Sequence, residues 1–266
     1  MSNDSFQQIS LDVAETYEAA FVPALFAGLA PHLLDIAGVG PRHRLLDVAC
    51  GTGIVARTAV DRVGPSGRVA GLDLNEAMLT VARRLAPGIE WRQGDAAALP
   101  FGDGEFDVAV CQSGLMFVPD VAAVLREMAR IAAGGTVAVQ VWSAPERQDG
   151  FRPFAEVVAR HASPDAVDLL STYFRLGDPD AFTALCAAAG LRVTGVRTLP
   201  VTPRAPSVDA YVTAEVESTP LVARITDETY QKIRIDARTA LAPFCDDAGE
   251  LAMPMEVYLV RAESTS

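Results

Sequence analysis

Several absences narrow the chemistry open to this chain. Its four cysteines, Cys50, Cys111, Cys186 and Cys245, stand far apart and form no pair at metal-ligand spacing, so neither a zinc site nor a disulfide framework is expected. They read as reduced, mostly buried small side chains, and no metal is assigned. Basic residues are scarce, 22 Lys and Arg against 34 Asp and Glu, for a formal charge of -12 and a pI near 4.7. Without a local basic stripe such a surface repels a phosphate backbone, which excludes nucleic acid as a partner. The opening residues MSNDSFQQIS lack a basic region followed by an apolar run, and no uninterrupted run of 18 apolar residues occurs. A cytoplasmic protein without membrane insertion is expected.

What is present is a chain of 266 residues, 50% hydrophobic and 21% charged, able to bury a full core. Short runs rich in Val and Leu, at 44–49, 69–72, 106–111 and 136–142, alternate with helix-periodic segments. That alternation predicts an α/β fold with a mostly parallel sheet covered on both faces. Asp120 reads as the N-cap of a helix whose apolar face is Val121, Val124, Leu125, Met128 and Ile131. A second helix starts at Glu76, with Met78, Val81, Ala82 and Leu85 inward, and a third spans 180–189 and is closed by Gly190. Strand-like segments follow at 192–202 and 255–261, and the last residues, 263–266, read as disordered.

Three segments fall outside the alternation. An N-terminal one repeats Val13, Tyr17, Phe21, Leu25, Leu29 and Leu33 every four residues, with Pro23 expected to kink its path. The others, near 145–175 and 203–249, carry aromatics among helix formers. The chain therefore reads as one domain over 1–266, with core segments 40–142, 178–202 and 252–262. Lid segments are expected at 8–37, 143–177 and 203–250.

The segment Arg44-Leu45-Leu46-Asp47-Val48-Ala49-Cys50-Gly51-Thr52-Gly53-Ile54-Val55-Ala56 is an apolar strand that breaks into a glycine turn and opens a helix. Glycine permits tight backbone angles and close ligand approach, and the helix start offers unpaired N–H groups, so a nucleotide-type ligand belongs there. Asp73, twenty residues past Gly53 at the end of the next strand, suits a ribose diol. The turn also fits a dinucleotide fingerprint, a weak motif when alone. Asp47 argues against that reading, because a carboxylate there opposes a pyrophosphate but attracts an ammonium group.

With Gly94-Asp95-Ala96-Ala97-Ala98-Leu99-Pro100-Phe101 after the third strand and Glu105-Phe106-Asp107-Val108 leading the fourth, the chain resembles the class I S-adenosylmethionine-dependent methyltransferases. The resemblance is strongest to their small-molecule branch, which includes ubiquinone and menaquinone biosynthesis enzymes. It is tight over 40–142 and loose elsewhere. It implies a Rossmann-like sheet of seven strands, the last antiparallel at or near one edge, with helical lid insertions. S-adenosyl-L-methionine is then the cofactor and S-adenosyl-L-homocysteine the product.

The resemblance places Asp47, Ala49, Gly51 and Gly53 along the methionine part, with Asp47 near the amino group; Tyr17, on the N-terminal lid segment, is a further candidate for the cofactor. Asp73 takes the ribose hydroxyls, Leu74 and Met78 flank adenine, Asp95 and the backbone of Ala96 meet its edge, and Gln112 faces the sulfonium region. Ala49 departs from the family, where many members carry a glycine. Bland readings stand beside these, with Asp73 a helix cap, Asp95 a loop acid and Gln112 a satisfied polar residue at a strand end.

Among three histidines, His43 lies at the opposite end of the first strand and His32 on the N-terminal helix, leaving His161 as the candidate base. Phe21, Phe117, Phe151, Phe154, Tyr173, Phe174 and Tyr211 are core residues if taken singly, and an acceptor pocket if taken together. The expected activity is methyl transfer to an O, N or C atom of a small, largely apolar acceptor, in secondary metabolism or quinone-like biosynthesis. A fold member catalysing a non-methylating cyclisation or rearrangement shares the same cofactor motifs and is the alternative. No Pro-Pro dipeptide is present, which argues against the nucleic-acid aminomethylases of this family. A homodimer is compatible with the sequence.

Overall fold

A computed structural model describes residues 9–264. Its main sheet has seven strands in the order β3-β2-β1-β4-β5-β9-β6. These are β1 (Arg44–Val48), β2 (Arg68–Asp73), β3 (Glu90–Gln93), β4 (Val108–Gln112), β5 (Thr136–Trp142), β6 (Leu191–Val201) and β9 (Met255–Ser264). The contacts among β1 to β5 are parallel, and β9 runs antiparallel to both β5 and β6. The antiparallel strand therefore lies one place in from the edge, with β6 outside it.

Alternation along the strands separates two apolar layers. Leu45, Val108, Val110, Ala138 and Leu259 pack with Ala30, Leu33, Leu34 and Ala37 of α2 (Ala27–Ala37) and with Val55 and Ala59 of α3 (Ile54–Val63). Their neighbours Leu46, Ala109, Cys111, Val137, Val139 and Val260 face Val124, Leu125 and Met128 of α5 (Val121–Ile131) and Phe182 and Cys186 of α8 (Pro179–Ala188). Because β1 pairs with β2 on one side and with β4 on the other, successive connections diverge there and open a crevice at the carboxyl ends of the strands.

The N-terminal segment divides in two. α1 (Leu11–Phe21) packs on α4 (Glu76–Leu85) and on α9 (Val208–Glu217), whereas α2 packs on β4, β5 and β9 as part of the sheet's covering layer. Between them Val22–Phe26 forms a π-helical turn with Pro23 in its first residues, so the helical path continues through the proline. The whole run Leu11–Ala37 is long and apolar enough to cross a membrane by length and composition. In the fold its most apolar stretch is docked, with Leu29, Ala30, Leu33, Leu34 and Ala37 buried. The remaining helices, α6 (Arg152–His161), α7 (Pro164–Thr172), α9 and α10 (Asp227–Leu241), form a lid. A two-stranded ribbon, β7 (Arg204–Ala205) with β8 (Leu251–Ala252), anchors it.

Three local expectations are corrected. Leu85 is 42% exposed, because it is the last residue of α4. β4 begins at Val108: Phe106 turns away to pack edge-on against Phe101 at 5.0 Å, and the Asp107 carboxylate accepts from the Arg44 N–H at 2.8 Å. Glu263 and Ser264 are not loose, since β9 pairs through them with Arg192 and Leu191.

Candidate active site

The turn after β1 sets the site. Ala49, Gly51 and Gly53 all have positive φ, at 54°, 55° and 85°, which curls the chain back so that α3 starts beside the strand end. At Gly51 an added Cβ would meet nothing nearer than Tyr17 Cε1 at 4.0 Å, so the backbone is open to a ligand. At Gly53 an added Cβ would lie 2.2 Å from the Trp91 ring. Gly53 is thus held by packing and does not line the cavity, which corrects its expected role as a cofactor contact.

Asp47 is buried at the end of β1 and accepts the Ala56 N–H at 3.0 Å, tying the strand to α3. Burial pushes its carboxyl up to about 8, against the pull of that hydrogen bond. Asp73 spans the crevice mouth: one oxygen accepts the Gly51 N–H at 2.8 Å and the other the Asn75 N–H at 2.8 Å. Desolvation raises its pKa as well. The helix-capping alternative for Asp73 belongs to Asn75, whose side chain accepts from Ala77 and Met78 at the start of α4. Asp95 turns its own loop by accepting the Ala97 N–H at 2.8 Å. Gln112 reaches the Phe26 carbonyl at 3.4 Å, which fixes its amide beside the crevice.

These residues line one end of a single cavity of about 1100 Å³. Tyr17, Asp47, Ala49, Gly51, Asp73, Leu74, Met78, Asp95, Ala96 and Gln112 contribute, and the rest is lined by Phe151, Tyr173, Phe174 and Tyr211 of the lid, with Phe21 at the end of α1 and Phe117 between β4 and α5. A single small-molecule pocket spans about 300–1,000 Å³, so this space stands at the large end of that range. The rings pack on one another, Phe117 against Tyr173 at 5.8 Å and Phe151 against Phe174 at 5.2 Å, which makes this part of the wall apolar.

Two expected residues lie elsewhere. Phe154 is fully buried behind the wall, edge-on to Phe151 at 5.9 Å and Tyr211 at 5.2 Å, because its place on α6 faces the lid's own core. His161 ends α6 away from the cavity, with Nε2 2.7 Å from Asp236 Oδ2 of α10. That contact ties two lid helices together, so a base role for His161 is withdrawn.

The sequence reading also missed residues. Asn75, Ser113, Trp142 and Met255 line the cavity, as does a polar group on α9 that includes Glu215 and Ser218. Asn-x-x at a strand-to-helix junction could have signalled Asn75 as a cap. Glu215 had no such signal, because its burial comes from tertiary packing of α9. No group of three His, Cys, Asp or Glu able to hold a metal occurs among the described residues.

The donor set fits S-adenosylmethionine better than an anionic dinucleotide. Three carboxylates, Asp47, Asp73 and Asp95, edge the cradle, and Arg204 is the single basic side chain among the described lining residues. Arg204 is itself paired with Glu250 at 2.7 Å. Two desolvated carboxyls ionise more readily beside a cation, whereas a pyrophosphate would hold them in their protonated form.

Residues 45–135 match the family described as a methyltransferase domain. Over 101 residues the chain is 43% identical to a 2-phytyl-1,4-naphtoquinone methyltransferase of Synechococcus elongatus, covering 36% of this chain and 43% of that one. It is 33% identical over 186 residues, 65% of each chain, to an uncharacterised protein of Mycobacterium tuberculosis. The chain thus spans less than two thirds of the length of these relatives. In overall fold it superposes on a protein proposed to be a methyltransferase from Bacillus halodurans, with a TM-score of 0.63 and 23% identity over 89% of this chain and 99% of that one. The resemblance to class I S-adenosylmethionine-dependent methyltransferases read from the sequence therefore holds for the domain and its sheet.

Proposed function

We propose that the protein transfers the methyl group of S-adenosylmethionine to a small, largely apolar acceptor of the quinol type. The observation that carries this reading is the single cavity in which the strand-end cradle and the aromatic lid share one space of about 1100 Å³. Asp47 would hold the cofactor's amino end, Asp73 its ribose, and Leu74, Met78 and Asp95 its adenine. When bound, the cofactor supplies a sulfonium whose positive charge is lost as the methyl group leaves. Such a reaction asks the protein chiefly for alignment and for exclusion of water, and the packed aromatic rings over the cavity serve both.

The quinol assignment is supported by the relatives, one of which is named for a 2-phytyl-1,4-naphtoquinone, and by the apolar character of the lid. Their being methyltransferases also favours transfer over a cyclisation or rearrangement. The test uses methyl-labelled cofactor with a set of 2-alkyl-1,4-naphthohydroquinones, read by mass spectrometry. Label is expected in the naphthohydroquinone product. If the label stays on the cofactor across the set while both ligands bind, the reading fails.

A further inference from the structure

Polar side chains interrupt the apolar lid, and three of them follow one face of α9 into its C-terminal cap. Tyr211, Glu215 and Ser218 recur at helical spacing and all line the cavity. Glu215 is only 4% exposed, and its Oε1 has no hydrogen-bond partner. The Tyr211 and Ser218 hydroxyls are also buried without partners. Tyr173, across the cavity wall, hydrogen-bonds Glu215 and Thr219, and Thr219 Oγ1 donates to the Glu215 carbonyl at 2.7 Å. One carboxylate oxygen is therefore held while the other is left free.

Stability gives no reason for this arrangement. A buried acceptor left unsatisfied costs free energy, and a buried carboxylate costs more. Three such groups, on residues of α9 and its C-terminal cap that all line one cavity, fit a ligand that completes them. A carboxylate oxygen only accepts, and a hydroxyl both donates and accepts. The complement is a group that gives one hydrogen and takes one or two, which describes an O–H.

We propose that Glu215, Tyr211 and Ser218 form a recognition site for a hydroxyl group on the otherwise apolar acceptor. Glu215 Oε1 accepts the hydroxyl hydrogen, while the Tyr211 and Ser218 hydroxyls donate to its oxygen. Tyr173 is the positioning residue that fixes the carboxylate. Resting on the methyl-transfer reading above, the assignment gives a ring hydroxyl of the quinol-type acceptor its partners and excludes a fully oxidised quinone as the form that is bound.

The test measures binding to the full chain saturated with S-adenosylhomocysteine, using 1-naphthol, 1-methylnaphthalene and 1-naphthylmethylamine as probes. Wild type should bind 1-naphthol about tenfold or more tightly than 1-methylnaphthalene, as expected when a hydrogen bond to a charged group is added. Glu215→Leu should erase that preference and melt no lower than wild type, and Tyr211→Phe and Ser218→Ala should each reduce it severalfold. The Tyr211 and Ser218 variants remove hydroxyls that hold nothing in the fold, so they keep the test open if Glu215→Leu does not fold. Equal affinity for the hydroxyl and methyl probes, a preference for the amine, or an undiminished naphthol preference in the variants would overturn the proposal. S-adenosylhomocysteine affinity is read separately and should be unchanged in every variant. Its absence in wild type would sink the methyl-transfer reading instead.

Discussion

At the scale of single residues, the turn after β1 shows how a ligand site is made from backbone angles that cost energy. Ala49 has a φ of 54°, and Ser113 at the end of β4 has one of 50°, both unusual for residues with a Cβ and both at the cavity. Ala49→Gly should stabilise the protein by about 0.5 kcal/mol, relief of left-handed strain being partly offset by glycine's larger unfolded-state entropy. Thermal unfolding checks this, and a lower melting temperature would show that the Cβ of Ala49 packs usefully. Gly53 behaves oppositely. Gly53→Ala should cost about 3 kcal/mol through its φ of 85° and the Trp91 clash, and markedly less in a Trp91→Ala background. A cost identical in both backgrounds would mean that Trp91 is not the obstacle.

Much of this residue-scale picture was legible in the sequence, because local chemistry determines it. Asp47, Gly51, Asp73 and Asp95 sit at strand ends whose positions follow from apolar runs and turn residues, so pattern alone brings them to one edge. Gly53 matched the motif but serves a ring thirty-eight positions along the chain, and no local rule reveals which glycine faces ligand and which faces a neighbour. Glu215 and His161 show the same limit. Both are titratable residues on lid helices, and only the packing of α9 and α6 against their partners decides that one is buried in the cavity and the other is tied to Asp236.

At the scale of elements, the lid separates residues that hold the wall from residues that form it. Phe154 is fully buried between Phe151 and Tyr211, so Phe154→Ala should cost about 3–5 kcal/mol of stability and leave turnover per folded molecule nearly unchanged. Phe151 faces the cavity, so Phe151→Ala should raise KM for the acceptor beyond any loss of folded protein. Kinetics normalised to the folded fraction separate the two, and equal kinetic defects would show that the distinction drawn from burial is wrong. His161→Ala should weaken the tie between α6 and α10 and spare kcat. The N-terminal helix was harder to read. Its four-residue apolar repeat is continuous, yet α1 covers the cavity and α2 covers the sheet, because the π-helical turn at Val22–Phe26 changes what each half faces.

For the whole molecule, an unusual share of buried acid sits around one cavity. The folded-state pKa of Asp47 is about 8 and that of Glu215 about 7, and Asp73 is raised as well, in each case first by desolvation. Folded pKa values above the unfolded ones mean that the folded state holds these protons more tightly. Their contribution to stability is then complete below the ordinary carboxylate range and is lost as pH rises through about 7 to 8. The paired surface carboxylates, such as Asp107 beside Arg44 and Glu127 beside Arg130, have lowered values and lose their contribution only in acid, as pH falls through those values. The ligand-free protein should therefore be more stable near pH 5.5 than near pH 8.5, and denaturant titrations at the two pH values measure it. A flat or reversed dependence would contradict the burial assigned to these acids. Binding of a cationic ligand has the opposite sign, since it favours the ionised carboxylates, so affinity should rise over the same interval.

The most direct test of the central claim, that the strand-end cradle is built for S-adenosylmethionine, is calorimetric titration of the protein and its Asp73→Ala variant with S-adenosylhomocysteine and, separately, with NADH. The account predicts one saturable site for S-adenosylhomocysteine, weakened by about 1–3 kcal/mol in the variant as ribose hydroxyls lose their partner, and no heat of binding with NADH. Saturable binding of NADH, or an S-adenosylhomocysteine affinity that does not change when Asp73 is removed, would contradict it.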